Sequence, residues 1–340
     1  MVMFFHFCSG IVSNNNYLLL IKKISIVGQT GVSLFFVLSG FLITRLLLNS
    51  KTHNRYFFNF YIKRILRIFP LYYFFLVLFY FILPLLFKTT FIELKYQYFY
   101  WIYLQNFAMT FNWASNGPLH FWSLAVEEHF YFFWPFIIYF FNSKKILLTI
   151  FLLIVLSIFT RIILIKNNYD VFYFTFSRMD ELALGALLSL AELKLILQHK
   201  NSKFFLLLFF IILIPTIFIW ILNNASGNST LQVFKFVLLA FSLSSLVGYI
   251  ISAKESNILK IILCLKPISY TGKISYGLYV YHPLCFLICN KYFDTNIFIV
   301  DLIGSFLLSY LMATLSYYLL EKRFLHFKNY FINSKKLQIS

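Results

Sequence analysis

Few residues in this chain are able to do chemistry, and they stand out because nearly everything around them is apolar. The densest group lies in FWSLAVEEHFYFFWP, Phe121 to Pro135, where Glu127, Glu128 and His129 are adjacent. A carboxylate at membrane depth costs on the order of 2.5–3.5 kcal/mol on insertion scales and usually marks a functional site. At helical spacing Ser123, Glu127 and Tyr131 share one face, while Glu128 points roughly 100° away. The plainer account puts both glutamates near the water interface, as charges that merely cap a helix.

His6, in MVMFFHFCSG, is the second candidate: an imidazole inside an apolar stretch needs a partner and can move a proton near neutral pH. A satisfied core histidine is the competing account. Arg64 and Arg67, in FYIKRILRIFPLYY, are three apart and so share a helix face. Two guanidiniums side by side suit a phosphate or pyrophosphate, although such a pair also serves simply to set topology. Arg178 opens SRMDELALGALLSL; the helix dipole alone accounts for Asp180 and Glu181 there, so a chemical role rests on the arginine. His282 stands beside Pro283 in ISYGLYVYHPL, with Tyr276 close by. In GVSLFFVLSGFLITR, Gly31 and the Ser39-Gly40 pair are small residues that let membrane helices approach closely. The cysteines Cys8, Cys264, Cys285 and Cys289 form no CxxC pair of the metal-binding type, and no metal is expected.

The elements that hold these residues are set by composition. The 340 residues are 61% hydrophobic and 12% charged, with a mean hydropathy of +0.81. A soluble domain is nearer 45–50% apolar and about 25% charged, so the expected fold is an all-α, polytopic membrane helical bundle. Apolar segments fall at Met1–Val12, Gly31–Leu48, Arg67–Phe87, Leu119–Phe141, Ile146–Ile165, Arg178–Leu193, Phe204–Leu222, Leu231–Ile251, Ile268–Asn290 and Asn296–Leu320. They predict about ten transmembrane helices, the first one truncated. Tyr98–Met109 is short for a span and reads as interfacial or re-entrant.

Loop charge gives the orientation. Placing Lys51–Arg67 inside collects Lys144, Lys145, Lys194, Lys200, Lys203, Lys254, Lys260, Lys266, Lys322, Arg323, Lys328, Lys335 and Lys336 on the same side. The opposite side keeps Lys22, Lys23, Lys88, Lys95, Lys166 and Lys291. Both termini are therefore expected in the cytoplasm, with residues 1–328 as one membrane domain and 329–340 as a tail. Orientation and attraction to anionic membrane lipids account for most of the net charge of +18, so no nucleic-acid partner is expected.

Taken in order, GVSLFFVLSGFLI, FYIKRILRIFPLYY, FWSLAVEEHFYFFWP, RMDELALGALL, ISYGLYVYHPL and YYLLEKRF resemble the acyltransferase 3 family. These are integral-membrane O-acyltransferases of bacterial inner membranes that modify lipopolysaccharide, peptidoglycan or exopolysaccharide. The resemblance runs from His6 to about Phe324. It implies transfer of an acyl group, usually acetyl from acetyl-CoA, to a hydroxyl of a glycan or lipid-linked sugar. His6 matches the family's first-helix histidine, Arg64 and Arg67 its RxxR, Ser39, Gly40 and Phe41 its SGF motif, and Glu127 the glutamate after WSLxV. The arginine that the family carries eleven positions before its histidine would lie ahead of Met1. The resemblance thus predicts either a mis-assigned start or a truncated, inactive member.

The implied site is then His6 as general base and Glu127 as either its orienting partner or a ligand of acceptor hydroxyls. Arg64 and Arg67 are expected on the CoA phosphates. Ser39, Ser123, Arg178, Tyr276 and His282 are expected to contact substrate, with Arg178 also suited to a developing oxyanion. Two rival readings stand beside the enzyme: a transporter or flippase for a glycan or lipid-linked sugar, whose path the same polar residues would line, and an inactive relic.

Overall fold

The computed structural model describes residues 1–11, 15–87, 94–194, 196–222, 229–295 and 297–333. Lys88, Lys335 and Lys336, used above for sidedness, and the end of the tail lie outside the described residues. Among the described residues every regular element is helical. The main helices are α1 (Val2–Ser9), α2 (Asn16–Ser25), α3 (Thr30–Ser50), α4 (Tyr56–Val77), α5 (Trp122–Phe140), α6 (Ser143–Lys166), α7 (Met179–Leu193), α8 (Ser202–Leu222), α9 (Ser229–Ser252), α10 (Ser275–Tyr292), α11 (Phe298–Ser316) and α12 (Lys322–Asn333). Helices are what such a sequence must form, because in hydrocarbon each backbone amide needs a partner within its own segment. Side chains cap the ends where loops are short: the Asn142 side chain accepts from Lys145 N at the start of α6 (3.0 Å).

Six stretches are long and apolar enough to cross a membrane: 16–50, 56–86, 143–166, 199–221, 230–252 and 298–327. The expectation of about ten crossings also counted the segments that became α1, α5, α7 and α10. These are helical too, but α1 and α7 are short, with 8 and 15 residues, and α5 and α7 carry buried carboxylates that lower their hydropathy. Tyr98–Met109, expected not to span, falls into two short helices, Tyr98–Trp101 and Gln105–Thr110, with Tyr103 between them in the left-handed region at φ 59°.

The chain divides into two compact units. The first comprises Met1–Thr52 and Lys95–Ile261; the second comprises His53–Leu94 and Ile262–Ser340.

In the first unit α7 lies along α3 in the same direction. Ser33 meets Arg178 at one end, and Arg45 meets Glu192 at 3.1 Å at the other. Parallel packing is the relative direction that the loop charges imply for these two segments. Arg45, half-exposed at its end of α3, thus has a carboxylate partner. The two backbones nearly touch: a Cβ on Gly40 would sit 2.0 Å from Leu182 O, and one on Gly185 would sit 2.0 Å from Val37 O. That contact is the reason for a glycine in each segment. Val37, Phe41, Leu184, Leu188, Ala240 and Leu243 close the core among α3, α7 and α9.

In the second unit α10 and α11 pack side by side where Gly277 meets Ala313, and Tyr276 Oη donates to Ile68 O of α4 (2.8 Å). Two π-helical turns occur there, Leu78–Ile82 after α4 and Tyr317–Glu321 before α12. Turns of this type frequently accompany functional positions.

Candidate active site

The most heavily charged buried region begins where the chain enters α7. A single turn over Thr175–Ser177 is held by the Ser177 hydroxyl, which donates to Phe174 O (2.7 Å) and Val171 O (2.5 Å). It delivers Arg178 and Asp180 to the buried start of the helix. Arg178 reaches along the first turn to Glu181, with Nε to Oε2 at 3.0 Å and Nη2 to Oε1 at 3.1 Å, and Nη2 also donates to Ser33 of α3 (3.3 Å). Arg161 of α6 grips the same turn from the other side, donating to Asp180 Oδ2 (2.7 Å) and Ser177 O (2.8 Å). The Asp180 amide, one of the unpaired donors at a helix start, finds Ser157 Oγ at 3.1 Å. Both ion pairs are essentially sealed from the surroundings, with side-chain exposures of 0–1%. The Arg178 guanidinium lies 4.0 Å from the Phe236 ring centre and between 5.2 and 5.5 Å from those of Phe172, Trp122 and Phe36.

On α5 the predicted face is borne out. Ser123, Glu127 and Tyr131 are all buried, and Glu128 is only half-buried. The Tyr131 hydroxyl hydrogen-bonds to Ser39, which joins two of the singled-out motifs directly. One turn further on, Trp134 Nε1 donates to Thr44 Oγ1 (2.7 Å), so α5 is fixed in rotation against α3. His129 takes a different partner, with Nδ1 at 2.7 Å from Thr175 Oγ1, which also accepts from Asn106 Nδ2 (2.5 Å). The EEH triplet therefore spreads over two environments: Glu127 is buried one turn ahead of Tyr131, and His129 faces the turn that presents Arg178.

His6 is half-buried in α1. That helix leans on two glycines ahead of Ser33: a Cβ on Gly28 would lie 2.6 Å from Met1 O, and one on Gly31 would lie 2.7 Å from Val2 Cγ2. The remaining predicted residues belong to the second unit. Arg64 and Arg67 lie on one face of α4, half-buried and exposed respectively. His282 is fully buried in α10, and its Nδ1 lies 2.9 Å from Tyr279 O and 3.0 Å from Leu278 O. Carbonyls only accept, so Nδ1 carries a proton. Glu321, in the π-helical turn, accepts from Ser316 Oγ (3.3 Å) and lies within electrostatic reach of Arg67.

Sequence reasoning passed over Ser33, Arg161 and Lys235. The last is a buried lysine in α9 whose Nζ lies 4.6 Å from the Phe236 ring centre. A signal was available for the two cations, since each is a lone charge inside a long apolar run. Their partners lie elsewhere in the sequence, which is why neither stood out. Among the described residues no group of three His, Cys, Asp or Glu side chains is arranged to hold a metal ion.

The family model described as an acyltransferase domain matches residues 1–322, nearly the whole chain. The chain belongs to the acyltransferase 3 family. Acyltransferase 3 relatives include O-acetyltransferase OatA of Staphylococcus aureus, 29% identical over 326 residues, covering 86% of this chain and 52% of that protein. Peptidoglycan O-acetyltransferase OatA of Listeria monocytogenes is 30% identical, covering 75% and 44%. A putative peptidoglycan O-acetyltransferase of Bacillus subtilis, YrhL, is 27% identical, covering 87% and 50%. The chain thus spans about half the length of these curated relatives. No solved structure matches it.

Proposed function

We propose that this chain is the membrane acyltransferase part of a system that moves an acyl group, acetyl by default, from acyl-CoA to a hydroxyl of a cell-wall glycan. The observation that carries this reading is the family match over residues 1–322. Relatives named as peptidoglycan O-acetyltransferases favour a cell-wall acceptor over lipopolysaccharide.

A sugar hydroxyl is a poor nucleophile near neutral pH, so a base must remove its proton as it attacks the thioester carbonyl. His6 is the proposed base. Arg178, already held by Glu181 and Ser33, is pre-aimed and costs little to reorganise, as a donor to a developing oxyanion should. Glu127, buried on the face that reaches Ser39 through Tyr131, is proposed to orient the acceptor together with Ser39 and Ser123. Arg64 and Arg67 are assigned to the CoA phosphates, and Tyr276 and His282 to further substrate contacts. The loop-charge orientation puts the starts of α3, α5 and α7 at the outer face, where a wall glycan would arrive, and both termini in the cytoplasm.

The test uses membranes containing the chain, supplied with radiolabelled acetyl-CoA and cell-wall glycan. CoA release and alkali-labile acetate on the glycan should appear together, and His6→Ala should lower both by about 100-fold or more. Full activity in His6→Ala would remove the base assignment. Glycan movement across the membrane without CoA release would establish a transporter instead.

A further inference from the structure

We infer that Lys235 and Nη1 of Arg178 belong to a binding site in the first unit for an oxyanion group, carboxylate or phosphate, of the acyl acceptor; the word acceptor rests on the function proposed above. The argument begins with charge. Three cations, Arg161, Arg178 and Lys235, are buried around the Phe236 ring, and the carboxylates buried with them are Asp180 and Glu181. Asp180 is taken by Arg161 at 2.7 Å and Glu181 by Arg178 at 2.9 Å. Among the described residues, no carboxylate lies within ion-pair distance of Lys235. Asp170 acts on it from an exposed position, and its Oδ1 accepts from Phe172 N (2.7 Å).

The lysine is 4% exposed, and its ammonium rests against ring faces, 4.6 Å from the centre of Phe236 and 4.7 Å from that of Trp220. Ring faces recover only part of the hydration that a buried ammonium gives up. Arg178 has spare capacity beside it: its Nη1 is buried without a hydrogen-bond partner. One cation more than carboxylates, with unused N–H donors on Arg178 Nη1 and walls of aromatic rings, calls for a ligand that accepts hydrogen bonds and carries negative charge. A cation has no place there. A lysine that served only stability would be better replaced by leucine or methionine, because a buried charge without a partner is destabilising.

Position supports the same assignment. Ser33 is in the first turn of α3 and Trp122 is the first residue of α5; Arg178 immediately precedes α7, Lys235 lies in the second turn of α9, and Arg161 is in the last turns of α6. All belong to one end of the first unit, the end that the loop charges put outside, where a wall glycan would arrive.

The experiment titrates the purified full chain in nanodiscs, following tryptophan fluorescence, since Trp220 and Trp122 line the site, together with the melting temperature. The probes are N-acetylmuramic acid, which bears a carboxylate, sn-glycerol 3-phosphate, and uncharged N-acetylglucosamine. At least one anion should bind saturably and at least tenfold tighter than the neutral sugar, and which of the two does so distinguishes a sugar acid from a phosphate-bearing acceptor. Lys235→Gln should weaken that anion at least tenfold, Lys235→Arg should restore it to within about threefold, and unliganded Lys235→Gln should melt no lower than wild type. The inference is overturned if neither anion outbinds the neutral sugar or if Lys235→Gln binds as wild type does. It is equally overturned if Lys235→Gln unfolds well below wild type, which would make the lysine structural. No acyl transfer enters these measurements, so loss of the enzymatic reading and loss of this site are separate results.

Discussion

α7 and α8 are neighbours in the chain and both are strongly apolar, yet they do opposite work. Every residue of α7 from Met179 to Ala186 is buried. In α8, Phe204, Leu207, Phe210, Ile211, Ile214 and Phe218 all face outward. The buried helix is the one with the small and charged residues, Asp180, Glu181, Ala183, Gly185, Ala186 and Ser189; the outward-facing one is built from large aliphatic and aromatic side chains. In water the distribution would be reversed. When the solvent is itself hydrocarbon, burying leucine gains little, and helix association relies on close backbone approach and internal polar pairs. Polarity within an apolar segment therefore points to the protein interior, and uniform hydrophobicity points to lipid.

Substitutions test how far that contrast extends. The largest effect is expected at the sealed ion pairs: Arg161→Leu, which leaves Asp180 buried and uncompensated, should cost about 3–5 kcal/mol in reversible unfolding in mild detergent. A loss under 1 kcal/mol would mean that the pair is reached by water and that α7 is less enclosed than described. Next is the backbone seam, where Gly185→Val must push α3 away from Val37 O; a loss of about 1–3 kcal/mol is expected, measured as a lower melting temperature. Tyr131→Phe removes one buried hydrogen bond to Ser39 and should cost about 1 kcal/mol in the same unfolding measurement. The smallest effect belongs to α8, where Phe210→Leu should shift stability by less than about 0.5 kcal/mol. A clear loss there would indicate that this face meets a protein partner.

Much of the site could be read before the fold was seen. The helical period put Ser123, Glu127 and Tyr131 on one buried face and separated Glu128 from them, since that relation depends only on the angle per residue. The small residues at Ser39 and Gly40 pointed to a close helix contact, and the contact is there, with Gly185 as its other half. Asp180 and Glu181 were another matter. Helix-dipole reasoning explained them adequately from sequence, yet each is the counter-charge of a buried arginine, and Arg161 lies nineteen positions away from its partner. Crossing counts were also harder to read. α1 and α7 are short, α5 is interrupted by Glu127, Glu128 and His129, where chemistry is expected, and α10 is diluted by tyrosines, His282, Asn290 and Lys291.

The sequence alone determined that the chain is helical, membrane-embedded and of the acyltransferase 3 family, because composition, period and motif order are properties of the linear chain. Tertiary structure alone decided which charges neutralise one another. Asp180 took Arg161, Glu181 took Arg178, and Lys235 came to the same ring with no carboxylate in ion-pair reach among the described residues. Electrostatic pairing acts over a few ångströms in space and takes no account of separation along the chain.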